Sequence, residues 1–193
     1  MEKRQQEFPS VELLQQELMK ERYKHRYRKA LKSTLYSLLV VAALAVIITM
    51  LFMPVLQISG TSMSTTLEDG DVVLAIKKRG YAEGDVVGFY YNNVILIKRV
   101  IASSGDWVDI DEKGNVFVNG TILEEPYVTE KALGDCNISL PYQVPDGKCF
   151  LMGDHRATSV DSRNTAVGCI SQELIIGKLL LRVWPFSAIG AVR

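Results

Sequence analysis

A mainly β, antiparallel β-sheet domain behind an N-terminal single transmembrane helix is the architecture this 193-residue sequence predicts. Three observations predict it. One uncharged apolar stretch is long enough to cross a bilayer, the residues after it fall into short β-like runs divided by turn residues, and the net charge of zero is unevenly distributed. Counting Lys and Arg against Asp and Glu gives nine against five over residues 1–34 and thirteen against seventeen over residues 57–193, a +4 arm before the stretch and a −4 domain after it. The large domain lacks a broad basic surface, so nucleic acid is not expected as its partner.

The arm, residues 1–34, contains "PSVELLQQELM", which reads as a short amphipathic helix with Ser10 as its N-cap and Val11, Leu14 and Leu18 on one stripe. A solvated or membrane-surface helix is the plainer reading of this segment, partner binding the lesser one. The apolar stretch that follows is "LYSLLVVAALAVIITMLFMPVL", residues 35–56, and no charged residue occurs from Ser33 to Leu67. A helix needs about 20 apolar residues to cross a bilayer. A cleaved secretory signal has an apolar region of about 7–15 residues behind a short leader, whereas the leader here runs to residue 34. A buried core helix this long with no polar face would be out of scale for the domain. The stretch is therefore expected to be a permanent span, with the lipid bilayer as its partner. "KERYKHRYRKALK", residues 20–32, packs basic side chains against the span, so the positive-inside rule puts the N-terminus in the cytoplasm and residues 57–193 outside it.

Beyond Leu67, the runs "DVVLAIKK", "GDVVGFYY", "VILIKRVIA", "DWVDI", "NVFVNG" and "IIGKLLLRVWPF" are rich in Val, Ile and aromatic residues, and Asn92-Asn93, Lys113-Gly114-Asn115 and Asn119-Gly120 supply turns. "NVFVNGTIL" predicts a hairpin, and residues 124–148 a loop-rich insertion. Cys136, Cys149 and Cys169 all fall in this domain, where an oxidising compartment permits one disulfide. Cys136–Cys149 is the first choice because it closes the shortest loop. There is no C-x-x-C, and His155 has no ligand-spaced companion, so no metal site is expected.

The serine-rich turn "SGTSM", Ser59–Met63, stands directly after the span, and a serine hydroxyl needs a base before it is a useful nucleophile. Two side chains qualify. His155, in "MGDHRATSVDSR", is the outer domain's one histidine, but on an extended segment its neighbour Asp154 would point to the opposite face, and a turn residue with local hydrogen bonds is the plainer reading. Lys98, in "VILIKRVI", shares a strand face with Val94, Leu96 and Val100, an apolar setting that would depress its pKa. Against that stands the ordinary lysine with its amine in solvent. Arg99 faces the other way and stays protonated.

The three segments in order, "SGTSM" at the membrane exit, "IKRVI" and "GDHRATSVDSR" at residues 153–163, resemble the bacterial type I signal peptidases, and the resemblance covers nearly the whole chain. It implies a membrane-anchored serine endopeptidase, without cofactor or metal, that removes signal peptides from exported preproteins after small, Ala-x-Ala-like residues. Carried onto this sequence, it makes Ser62 the nucleophile and Lys98 the general base. Ser159 would orient the lysine, Asp161 and Arg163 would form a supporting ion pair, and Asp154 would lie close to the same network. The Ser62 N–H would help bind the oxyanion, with Gly60 or Thr61 near the second donor and Met63 beside the nucleophile in the apolar part of the site. The secretion translocon is a further partner that the resemblance suggests.

The chain departs from the family wording at several points. "SMSTT" has Thr65 where many members have a proline, Gly60 stands where some carry a serine, Ala102 and Ser104 alter the "RVIGxPGD" segment, and His155 replaces the asparagine of "GDNR". The missing proline would have stiffened the turn after the nucleophile. Rival readings are a Ser–Lys autoprotease of the SOS-repressor kind, which the span and the acidic domain oppose, a relative specialised for pilin or conjugation substrates, and an anchored module without activity. The last predicts an exposed Lys98 distant from Ser62.

Overall fold

A computed structural model describes residues 11–192, and the chain divides into two units at Thr49–Met50. The N-terminal unit is helical. One helix, α1, runs without interruption over Val11–Phe52, 42 residues or about 63 Å at 1.5 Å per residue. The arm helix and the span, expected as separate elements, are therefore one rod. No Gly or Pro occurs between residues 11 and 52 to break it. Thr34 and Thr49 donate their hydroxyls back to the carbonyls of Ala30 and Ala45 at 3.0 and 2.8 Å, which satisfies these groups within the helix. Ser10, expected as the cap, lies outside the described residues.

The helix stops at Phe52, two residues before Pro54. Proline cannot continue a helix and drives the residue before it toward extended backbone. Leu56, expected as the end of the span, instead lies buried in strand β1 (Val55–Gln57). Hydropathy alone does not separate a lipid-facing residue from one buried in a strand.

The second unit is built on antiparallel sheets. After β1 come β2 (Val72–Ile76), β3 (Val86–Tyr91), β4 (Val94–Ser103), β5 (Trp107–Ile110), β6 (Val116–Val118), β7 (Thr121–Ile122), β8 (Tyr142–Gln143), β9 (Lys148–Met152), β10 (Ile170–Ser171), β11 (Ile175–Trp184) and β12 (Gly190–Ala191). The larger sheet has the order β1-β2-β11-β3-β4-β9-β10, with β12 also on β11, and the smaller one β7-β6-β5-β8. The β3–β4 hairpin turns at Asn92 and Asn93, whose φ angles of 45° and 64° are those a two-residue turn requires. The loop-rich interval at 124–148 adds the short β8, which pairs with β5, and ends where β9 begins at Lys148.

Two of the three core clusters position the site. In one, Leu56, Ile58, Met63 and Leu67 pack with Val73, Val86, Ile97 and Leu179, so the turn after β1 is pinned to the large sheet by the side chains on either side of residue 62. In another, Leu96 and Val100 of β4 meet Val87, Phe89 and Leu151, whereas Val94 is exposed at the hairpin end.

All three cysteines are free. The expected Cys136–Cys149 disulfide is absent because Cys149 belongs to the interior of the large sheet, opposite Ser103 on β4 and Ile170 on β10, and packs in the same cluster as Val87 and Phe89.

Candidate active site

Ser62 lies at the start of a tight turn whose amides fold onto one carbonyl: the N–H groups of Thr65, Thr66 and Leu67 all donate to Met63 O, at 2.8–2.9 Å. Met63 is 2% exposed and anchors the turn in the core, which leaves Ser62 half-buried beside it. The Ser62 carbonyl accepts the backbone N–H of His155 at 3.0 Å, joining the turn to the 153–163 segment. Gly153 fits between them because it has no side chain. A Cβ there would fall 2.6 Å from Ser62 O and clash with the Ser159 side chain. Sequence neighbours of Ser62 are placed differently. Gly60 and Thr61 are exposed, and the Gly60 N–H is held by Asp69 Oδ1 at 2.7 Å, so it is not free to serve an oxyanion.

Lys98 lies on β4 opposite Val87 and is 3% exposed. Among the described residues no carboxylate forms an ion pair with its amine. Burial pushes the Lys98 pKa down to about 8; Asp161 opposes that fall, Arg163 reinforces it and Asp154 opposes it. The carboxylates near Lys98 are committed elsewhere. Asp161 and Arg163 form a fully buried pair, Arg163 Nε to Asp161 Oδ1 and a second nitrogen to Oδ2, both at 2.8 Å. Arg163 also donates to the carbonyls of Leu133 (2.7 Å) and Arg156 (3.0 Å), and Asp161 Oδ2 accepts the Gly153 N–H at 3.0 Å. Burial alone would raise the Asp161 pKa, but its bonds to Arg163 and Gly153 hold the carboxyl below its usual range. The Ser159 hydroxyl lies close enough to Asp161 to add to that lowering. It is wholly buried, yet among the described residues its oxygen has no well-formed hydrogen bond.

Asp154 belongs to a different group. Its two oxygens accept Arg99 Nε at 2.9 Å and a second Arg99 nitrogen at 2.6 Å, and Oδ2 also accepts the Thr66 hydroxyl at 2.5 Å. The guanidinium lies 3.8 Å from the centre of the Tyr127 ring and donates to Gly84 O. A third buried pair joins Arg156 to Glu125 through two bonds, and Tyr127 Oη donates to the same carboxylate. Glu125, Tyr127 and Arg156 did not emerge from sequence reasoning. Arg156 stands inside the "GDHR" motif, but its partner lies 31 residues away with no local pattern to link them. His155 is half-buried, with Nδ1 against the Thr158 hydroxyl at 2.6 Å. No group of three or more metal-ligating side chains is found among the described residues.

The site thus offers a half-buried serine and a buried lysine whose pKa burial lowers to about 8, beside carboxylates already paired with arginines. A family model for "Signal peptidase, peptidase S26" matches residues 31–184. The chain belongs to the signal peptidase family. Signal peptidase I of Bacillus licheniformis is 34% identical over 170 residues, covering 79% of this chain and 88% of its own length. Signal peptidase IB of Staphylococcus aureus (strain N315) is 37% identical over 151 residues, covering 67% of this chain and 77% of its own. Thylakoidal processing peptidase 1 of Arabidopsis thaliana is 35% identical over 151 residues, 69% of this chain but only 43% of its own length. A solved signal peptidase I from Enterococcus faecalis V583 aligns at 24% identity with a TM-score of 0.44, over 53% of this chain and 99% of that one. This signal peptidase is a serine peptidase that removes signal peptides, and its N-terminal apolar helix makes it a membrane-anchored one.

Proposed function

We propose that this peptidase cleaves exported preproteins by a Ser62–Lys98 dyad. The neutral Lys98 amine takes the Ser62 proton as Oγ attacks the scissile carbonyl, and the tetrahedral oxyanion is held by backbone donors that include the Ser62 N–H. The C–N bond then breaks, the new amine leaves with the proton from Lys98, and water hydrolyses the acyl-enzyme with Lys98 again as base. The single observation that carries this reading is the burial of Lys98 with no ion pair among the described residues, which depresses its pKa to about 8 and so supplies a neutral amine at mildly alkaline pH. The buried Ser159 hydroxyl, which has no well-formed hydrogen bond among the described residues, suits the role of orienting that amine. Asp161–Arg163 and Asp154–Arg99 stiffen the walls around it.

Three parts of the proposal come from the chain's layout and its family. The basic flank Lys20–Lys32 puts the N-terminus in the cytoplasm and the β unit outside it. A signal peptide's apolar helix lies in the same bilayer as α1, Ser62 follows the end of α1 at Phe52 by ten residues of chain, and shared anchoring restricts both partners. Cleavage after Ala-x-Ala-like sequences is what the family resemblance implies, and the translocon is the partner that would deliver the preprotein. The test is digestion of a preprotein with an Ala-x-Ala site by the full chain in mild detergent, read by mass spectrometry. A cut after the second alanine, lost in Ser62→Ala, is expected. An unchanged cut in that variant would remove Ser62 from the mechanism.

A further inference from the structure

The turn that carries Ser62 is tied down beyond its own backbone. Two successive hydroxyls leave it for different anchors. Thr66 Oγ1 donates to Asp154, which is locked to Arg99, the residue next to Lys98. Thr65 Oγ1 donates to the carbonyl of Tyr127 at 2.9 Å, across 62 residues of sequence. Tyr127 is itself fixed, with its ring over Arg99 and its hydroxyl on Glu125, which is paired in turn with Arg156. The start of the loop after β7 thus meets the turn that carries Ser62, and it is fixed there by the buried Glu125–Arg156 pair and by the Tyr127 ring over Arg99.

Thr65 is exposed, and its backbone N–H donates to Met63 O, a carbonyl that the amides of Thr66 and Leu67 also share. The position can therefore lose a side chain or an N–H without opening the core. We propose that Thr65 is a positioning residue: its bond to Tyr127 O straps the turn and fixes the aim of Ser62, supplying here the stiffness that a proline would give at the same position. A turn free to rock by even a fraction of an ångström spends less time at attack geometry, which lowers turnover rather than substrate affinity. This rests on Ser62 as nucleophile, so the experiment has one arm that needs no activity.

The experiment compares Thr65→Val, Thr65→Ser and Thr65→Pro with the wild type, as full chains in detergent. Hydrogen exchange of the 62–67 amides is measured in each, together with kcat and KM on the same preprotein. Loss of one hydrogen bond predicts faster exchange in Thr65→Val and a fall in kcat of about 3- to 10-fold with KM within about two-fold. Thr65→Ser restores both by keeping the hydroxyl, and Thr65→Pro restores both by stiffening the backbone. A wild-type exchange pattern in Thr65→Val would overturn the strap. So would faster exchange with kcat unchanged, or a proline variant as impaired as valine. A wild-type chain that cleaves nothing would count against the Ser62 reading, and the exchange arm would still decide the strap.

Discussion

Two cations side by side on β4 meet opposite surroundings. Arg99 is 1% exposed and Lys98 3%, so both are withdrawn from water. Around Arg99 the fold supplies full compensation: a bidentate carboxylate, a carbonyl and an aromatic face. Around Lys98 it supplies almost none, because Asp161 is held by Arg163 and Asp154 by Arg99. Desolvating a charge without pairing it shifts the protonation equilibrium, whereas desolvating it with a bidentate partner builds a rigid strut. One strand therefore carries, side by side, a buried amine whose pKa is lowered and a buried guanidinium that is fully paired. A guanidinium stays charged in either setting, so the two residues could not exchange places.

Removing the uncompensated cation breaks the comparison most sharply. Lys98→Met should lower kcat/KM by about 10²- to 10⁴-fold, the usual span for loss of a general base, in the preprotein assay. Emptying the compensated pocket comes next. Asp154→Asn leaves Arg99 buried with a neutral partner and should cost about 3 kcal/mol of stability in the β unit, read as a lowered denaturation midpoint. The smallest effect has the opposite sign. The Lys98 pKa falls from 10.5 in the unfolded chain to about 8 in the folded one, so below pH 8 folding must hold a charge it disfavours. The unfolded state then binds more protons, and stability rises with pH between about 8 and 10.5. Lys98→Met should flatten that rise and stabilise the unit at pH 7 by up to about 3 kcal/mol, less any loss in packing.

How much of this was legible in the sequence follows from the range of each interaction. Period-two runs marked most of the long strands, including β4 and the β3–β4 hairpin, because side-chain alternation and turn residues are local. The position of β11 between β2 and β3 was not legible, since joining the last long strand to the middle of the sheet is a non-local choice. Leu56 reads as part of the membrane span because an apolar residue reads alike in lipid and in a sheet core. Loop length favours pairing Cys149 with Cys136 but says nothing about which way a strand residue faces, and both are free. Within the site, Asp161 and Arg163 lie two residues apart in one motif, whereas Glu125 and Tyr127 meet Arg156 and Thr65 only through the fold.

The most direct test of the central claim, an uncompensated Lys98 that serves as base, is the pH dependence of kcat/KM from pH 6 to 10, in the wild type and in His155→Ala. Only the unprotonated amine can accept the Ser62 proton, so the rate should climb with pH through a midpoint near 8, and the climb should persist in His155→Ala. A rise centred near pH 6.5 that vanishes with His155 would contradict the account and make the histidine the base.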